Sequence, residues 1–331
     1  MHENRIARPL LLYTTALLLL LPPWASQSVA QEVSQATIDR FNIFAQYSAA
    51  AGCDQNNNST DSPIVTCDYY CPLVIDYNVT TLYEFNDRGW WTDTTGYVAL
   101  DETRKLIVLV FRGSVSSDSW RTDLTAIPIW LLTLCPFCWV HAGFHSAWDA
   151  VRRDVVRELK RAVDAHSDYQ LFFTGHSLGG AIATVAATLL KGEREWENWG
   201  IQLVGFFSGL WYTFGAPVIG NRATAKKTTK LVSVFRATHE NDPVPKLPPE
   251  LAFPADYVQP SPEYWITSDN GEPVTVGDVD YVEGVGSEGG NRGTEGNDAS
   301  NHMWYFGNMT VCAKPVDVCS GWWCIIGNWF Q

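Results

Sequence analysis

The stretch from Gln170 to Leu190 constrains this chain more than any other. An apolar run, Gln170 to Thr174, enters Gly175-His176-Ser177-Leu178-Gly179-Gly180, and an alanine-rich segment, Ala181 to Leu190, follows at once. A strand that meets a helix through Gly-x-Ser-x-Gly must turn sharply, and its small flanking residues leave the serine hydroxyl exposed at the tip. The spacing alone is common and also describes a glycine-rich turn with a buried serine. The strand before it and the helix after it select the sharp turn.

The rest of the chain agrees with a sheet built around that turn. Lys105 to Arg112 is a continuous apolar run with β-branched residues, closed by Gly113, which predicts a strand buried on both faces. Val151, Val155, Leu159 and Val163 recur every four residues and mark a helix facing a core. Further strands are expected at Trp211 to Phe214 and Leu231 to Ala237, with a helix near Asn221 to Thr229 between them. Strands alternating with helices imply an α/β fold, a mainly parallel central sheet covered by helices on both faces. Ser34 to Ala51 reads as a helix ended by Gly52, followed by a loop-rich region holding three cysteines, and Gly284 to Gly296 reads as a loop.

Residues 1–30 have the pattern of a secretory signal. Arg5 and Arg8 precede an apolar segment, Leu10 to Leu21, which Pro22-Pro23 stops, and Ser28-Val29-Ala30 supplies small residues for cleavage. The apolar segment is too short to span a bilayer with ease, so stable membrane insertion is not expected. Residues 31–312 then form one domain, large enough to bury its own core, and 313–331 form a Trp- and Cys-rich tail. The formal net charge of −13 makes nucleic acid and anionic membranes poor partners.

Export to an oxidising compartment changes the meaning of the eight cysteines, Cys53, Cys67, Cys71, Cys135, Cys138, Cys312, Cys319 and Cys324. Disulfides are expected, although eight cysteines allow 105 pairings and spacing selects none of them. Cys135-Pro-Phe-Cys138 fits a short structural loop better than a zinc or redox site. Sequons begin at Asn57, Asn58, Asn78 and Asn308, as in a secreted glycoprotein.

A serine hydroxyl is a weak nucleophile, so Ser177 needs a base within hydrogen-bond reach and an acid to hold that base. In sheets of this kind the order along the chain is Ser, then Asp or Glu, then His. Among the seven histidines only His239 and His302 lie beyond the nucleophile. Asp242 follows a predicted strand in His239-Glu240-Asn241-Asp242-Pro243, at the carboxyl end where open α/β sheets place their sites. His239 precedes that acid, which leaves His302 as the base. Asp278 and Asp280 also satisfy the order but sit within or beside a probable strand. The oxygen of an attacked carbonyl becomes negative; the N–H of Leu178 and the Gly113-Ser114 turn, with Ser114 as donor, are the expected oxyanion hole. No metal or organic cofactor is implied by such a set.

Six motifs in order then show that the sequence resembles the filamentous-fungal class 3 lipase family, which also contains feruloyl esterases. They are F-A-Q-Y-S-A-A-A (Phe44 to Ala51), K-L-I-V-L-V-F-R-G-S (Lys105 to Ser114), T-G-H-S-L-G-G (Thr174 to Gly180), Y-T-F-G-A-P (Tyr212 to Pro217), N-D-P-V-P-K-L-P-P (Asn241 to Pro249) and H-M-W-Y-F-G (His302 to Gly307). The resemblance implies the α/β-hydrolase fold, the triad Ser177, Asp242 and His302, and the oxyanion residues Ser114 and Leu178. It implies disulfides Cys53 to Cys312, Cys67 to Cys71 and Cys135 to Cys138, leaving Cys319 and Cys324 outside the pattern. It also implies a lid at Ser117 to Leu124 carrying Trp120, whose apolar face covers the site until it meets oil. A long stretch between Leu190 and Tyr212, with V-G-F-F-S-G at Val204 to Gly209, departs from the pattern, as does the tail.

The expectation is therefore a secreted serine ester hydrolase, foremost a triacylglycerol lipase whose partners are a lipid ester and an oil–water interface. Ile127, Ile129, Trp130, Leu131 and Leu132 make the region beyond the lid more apolar than an aromatic-acid esterase requires. A feruloyl or other carboxylic-ester hydrolase is the alternative, and a non-catalytic binding protein of the same fold comes third.

Overall fold

The structure is a computed structural model that describes residues 33–57, 63–67, 71–88, 94–114, 127–192, 210–249 and 256–312. The expected signal, the lid with Trp120, the Val204 to Gly209 stretch and the tail lie outside these residues.

Ten strands are described: β1 (Thr80–Arg88), β2 (Thr94–Asp101), β3 (Leu106–Phe111), β4 (Pro128–Trp130), β5 (Trp139–His141), β6 (Gln170–His176), β7 (Leu210–Phe214), β8 (Ser233–His239), β9 (Glu263–Ile266) and β10 (Val279–Val282). Eight of them form one sheet in the order β1-β2-β3-β6-β7-β8-β9-β10, and β4 and β5 make a separate hairpin. From β3 to β9 the pairs are parallel, while β1, β2 and β10 add antiparallel edges. The helices are α1 (Gln35–Ala50), a single turn α2 (Pro72–Ile75), α3 (Ala142–Ala165), α4 (Leu178–Gly192) and α5 (Arg222–Leu231).

The sheet is covered on both faces, and β3 shows why its sequence does not alternate. Ile107, Leu109 and Phe111 pack with Val151, Val155 and Leu159 of α3 and with α4, while Leu106, Val108 and Val110 pack in the cluster holding Phe41 and Phe44 of α1. A strand with no solvent face has no polar positions to offer. On the α1 side Phe41 stacks on Phe306 and meets Tyr212 edge-on, tying the helix to the carboxyl-terminal part of the domain.

The ends of the predicted elements shift for local reasons. The side chain of Ser34 caps α1 by accepting from the Thr37 N–H, and Asn221 does the same for α5 through Thr224, so both residues precede their helices. The third helix begins nine residues before Val151, because buried Phe144, Ala147 and Trp148 continue the same stripe. The eighth strand runs Ser233–His239 rather than Leu231 to Ala237, since α5 continues through Leu231.

The expected disulfides Cys53–Cys312, Cys67–Cys71 and Cys135–Cys138 are all formed. Among the described residues, Cys53, Cys67 and Cys312 are the one grouping with metal-ligand spacing, and each sulfur is already in a disulfide. No helix among the described residues is long and apolar enough to cross a membrane. Asn57 is buried and its amide donates to the carbonyls of Ala51 and Cys53, which removes that sequon from the accessible set. Asn78 and Asn308 are exposed.

Candidate active site

Ser177 occupies the turn between β6 and α4 with φ of +55°, a left-handed conformation that a non-glycine residue rarely adopts. Close packing holds it there. A Cβ added to Gly179 would lie 2.1 Å from the carbonyl oxygen of Phe111, and one on Gly175 would lie 2.4 Å from the carbonyl carbon of Gly179. The Ser177 N–H donates to the Phe214 carbonyl at 2.8 Å, fixing the turn to the end of β7. Because the atoms that a Gly179 side chain would meet are backbone, they cannot move aside. Gly179→Ala is expected to cost about 3 kcal/mol of stability by overpacking, read as a lowered thermal unfolding midpoint beside a wild type measured in parallel.

Three further loops at the carboxyl end of the sheet converge on this serine. His302, on the 3₁₀ turn Asn301–Met303, places Nε2 at 2.8 Å from Ser177 Oγ and Nδ1 at 2.8 Å from Asp242 Oδ2. A carboxylate oxygen only accepts, so Nδ1 carries the proton and Nε2 is left to accept from the serine. Asp242 lies in the loop after β8 and is fully buried, yet three donors satisfy it: His302 Nδ1–H, the Tyr305 hydroxyl at 2.5 Å on Oδ2, and the Val244 N–H at 2.8 Å on Oδ1. Such satisfaction is what lets a carboxylate stay buried. Gly215 has φ of +59°, and a Cβ there would lie 2.9 Å from His302 Nδ1 and 3.0 Å from Asp242 Oδ2. A side chain at that position would press into the His–Asp pair.

The other candidates are occupied elsewhere. Both ring nitrogens of His239 face backbone carbonyls, Nδ1 that of Asn301 and Nε2 that of Ser268. Asp278 closes a local capping box with Thr275, which holds its carboxyl below the usual range, and Asp280 is exposed on β10.

The two expected oxyanion residues lie where the helix begins and β3 ends. Leu178 opens α4, so its N–H is among the first four that have no partner inside the helix and sits at the positive end of the helix dipole. In-register pairing of Phe111 with Gly175 brings Arg112 to Ser114 alongside His176 and Ser177, and a Cβ on Gly113 would lie 3.5 Å from Ser177 Cβ. Gly113, one residue before Ser114, thus borders the nucleophile's turn from the end of β3, and Leu178 follows the serine at the start of α4.

Reading the sequence missed three contributors. Tyr305, three residues after His302, is pushed well above its ordinary pKa by burial and then by the Asp242 charge, so it remains a donor to that carboxylate. Asn291 is buried and donates its amide to the carbonyls of Glu240 and Asp242, stapling the acid's loop. His176 packs its ring on that of His302 at 4.5 Å. Tyr305 and His176 lie inside quoted motifs, but nothing in spacing distinguishes them from core residues. Tyr305→Phe is expected to lower kcat about tenfold through loss of one buried hydrogen bond to a charged group, with KM little changed, in steady-state hydrolysis of a soluble ester.

Fold and site together define a carboxylic-ester hydrolase of the α/β-hydrolase type. Residues 108–252 match the family described as lipase (class 3). The chain is 39% identical over 290 residues to secreted mono- and diacylglycerol lipase A of Penicillium cyclopium, an alignment covering 86% of this chain and 90% of the relative. It is 33% identical over 294 residues to secreted mono- and diacylglycerol lipase 1 of Fusarium solani, covering 87% and 81%. Among solved structures, mono- and diacylglycerol lipase from Aspergillus oryzae superposes with a TM-score of 0.73 at 35% identity, covering 85% of this chain and 99% of that one. A structure from Penicillium cyclopium gives 0.74 at 37% identity, covering 85% and 100%. The chain belongs to the class 3 lipase family and is a secreted lipase.

Proposed function

We propose that residues 31–312 hydrolyse acylglycerol esters at a lipid–water interface through an acyl-enzyme on Ser177. The observation that carries this reading is the single imidazole of His302, 2.8 Å from Ser177 Oγ on one side and 2.8 Å from Asp242 on the other. As an ester carbonyl comes within reach, His302 Nε2 takes the hydroxyl proton while Oγ bonds to the carbonyl carbon, and Asp242 holds the imidazolium that forms. The Leu178 and Ser114 donors receive the oxyanion. Collapse expels the glyceryl oxygen, which takes the proton from His302 and leaves the acyl group on Ser177. Water then repeats the sequence with His302 as base, releasing the fatty acid and restoring the serine.

A further observation supports an oil surface over a soluble aromatic ester. Ile127, Trp130 and Leu132, with Phe137 on the same hairpin, are exposed, while Ile129 and Leu131 are half-buried. Apolar groups clustered this way mark surfaces that meet apolar partners. A second reading, preference for mono- and diacylglycerols over triacylglycerols, is favoured by the substrates named for the Penicillium and Fusarium relatives.

The test is titration of the acid released from emulsified tri-, di- and monoacylglycerols of one chain length, beside methyl ferulate. Turnover of dispersed acylglycerols well above methyl ferulate is expected, with their ranking deciding between the two readings. Turnover of methyl ferulate alone overturns both.

A further inference from the structure

We propose that His176 is a positioning residue for the base: it holds His302 in register with Ser177 by donating to the His302 backbone carbonyl and packing its ring against that of His302. This inference rests on the reading of His302 as the base.

His176 ends β6 one residue before the nucleophile. Its Nε2 lies 2.7 Å from the His302 carbonyl oxygen. A carbonyl only accepts, so that nitrogen carries a proton. The same ring lies 4.5 Å from the His302 ring, tilted 34°, and 5.8 Å from the Tyr305 ring. On its other side Nδ1 faces Gly113 of the oxyanion turn, where an added Cβ would come within 3.7 Å. One imidazole thus hydrogen-bonds the backbone of the base and packs against the ring of the base, with the Gly113 turn close by. His302 sits on a three-residue 3₁₀ turn far along the chain from Ser177. Asn301 ties that turn to His239, Asn241 and Asn270, and the His176 bond ties it directly to the elbow.

Charge supports the assignment. Burial, and then the proximity of His302, hold His176 well below the ordinary histidine range. The groups facing it are Ser177 from its own turn, Gly113 from the end of β3, and His302 and Tyr305 from the carboxyl-terminal segment, with Asp242 beyond His302. A neutral imidazole there adds no positive charge beside the imidazolium that His302 forms during acyl transfer. A charged one would oppose it.

The test compares His176→Phe, which keeps a ring but loses the donor, with His176→Gln, which keeps a donor near the Nε2 position, and His176→Asn, which is too short to reach. Two readouts are used: kcat and KM on a soluble p-nitrophenyl ester, and the rate at which a p-nitrophenyl alkylphosphonate labels Ser177. Phe and Asn are expected to lower kcat and the labelling rate about tenfold to hundredfold, the size of one buried hydrogen bond, with KM within about threefold. Gln is expected to recover most of that loss. A Phe variant that labels and turns over as fast as wild type defeats the inference, and so does a Gln variant as slow as Asn, a comparison that holds even where Phe fails to fold. Wild type left unlabelled defeats the reading of the site and this inference with it.

Discussion

Ser177→Ala is expected to lower kcat by about 10⁵- to 10⁶-fold on every ester the protein turns over, with little change in KM or in the unfolding midpoint. The change removes Oγ, the atom 2.8 Å from His302 Nε2, and leaves no hydroxyl for the acyl group to occupy. Alanine is no easier to hold at φ of +55° than serine, so the elbow keeps its shape through Gly175, Gly179 and the Ser177 N–H bond to Phe214. A residual rate above the uncatalysed one is expected, because the proposed oxyanion donors at Leu178 and Ser114 are left in place by the change. Pre-steady-state measurement gives a sharper version of the same result. The wild type shows a burst of released alcohol from an activated ester, and the variant shows none.

Asp242→Asn is expected to cost about 10⁴-fold in kcat while the site keeps its shape. The wild-type carboxylate accepts three donors, His302 Nδ1–H and the Tyr305 hydroxyl on Oδ2 and the Val244 N–H on Oδ1. An asparagine amide has one acceptor oxygen and one donating nitrogen, so it cannot serve both sides. If its nitrogen turns toward His302, the imidazole must place its proton on Nε2, where it points at Ser177 and cannot accept. If its nitrogen turns toward Val244, two N–H groups face each other in a buried site. Either arrangement disables the base or strains the loop that carries position 242. Steady-state kinetics with circular dichroism on the same sample separates the two: a folded protein with a 10⁴-fold deficit is expected, and full activity in the variant would remove Asp242 from the proposed mechanism.

The part of the fold legible in the sequence is where burial on both faces coincides with an unbroken apolar run or a glycine motif. β3 and β6 read as strands because no residue in either needs water until the strand ends, and the elbow between β6 and α4 reads from its glycines. Helix α3 was legible only from Val151 onward. Its first two turns hold Ala142, Gly143 and Ser146, which dilute the apolar stripe that Phe144, Ala147 and Trp148 extend. The edge strand β1 and its inner neighbour β2 were not legible at all. Thr80–Arg88 mixes charged and polar residues with exposed Leu82, and Thr94–Asp101 holds a glycine at position 96. That glycine is required because a Cβ there would lie 2.1 Å from the Val110 carbonyl oxygen, a tertiary reason that no local pattern carries.

The candidate site divides in the same way. Ser177, Asp242 and His302 were found from motif and chain order, since a nucleophile elbow fixes where its partners must follow. The structure brings all three within hydrogen-bond distance and sends His239 and Asp278 elsewhere. Tyr305, Asn291 and His176 were not found, because each acts through a partner brought close only by the fold. Asn291 lies about fifty residues beyond the loop it staples. The lid residue Trp120 falls outside the described residues and stays an expectation drawn from the resemblance.

The most direct measurement is to treat the folded protein with a soluble p-nitrophenyl alkylphosphonate, digest it, and locate the adduct by mass spectrometry while acylglycerol hydrolysis is followed on the same sample. One adduct per chain, on Ser177, with activity falling in step and no labelling of Ser177→Ala, is the predicted result. Hydrolysis that continues with Ser177 fully blocked, or an inactivating adduct on another residue, would contradict the account.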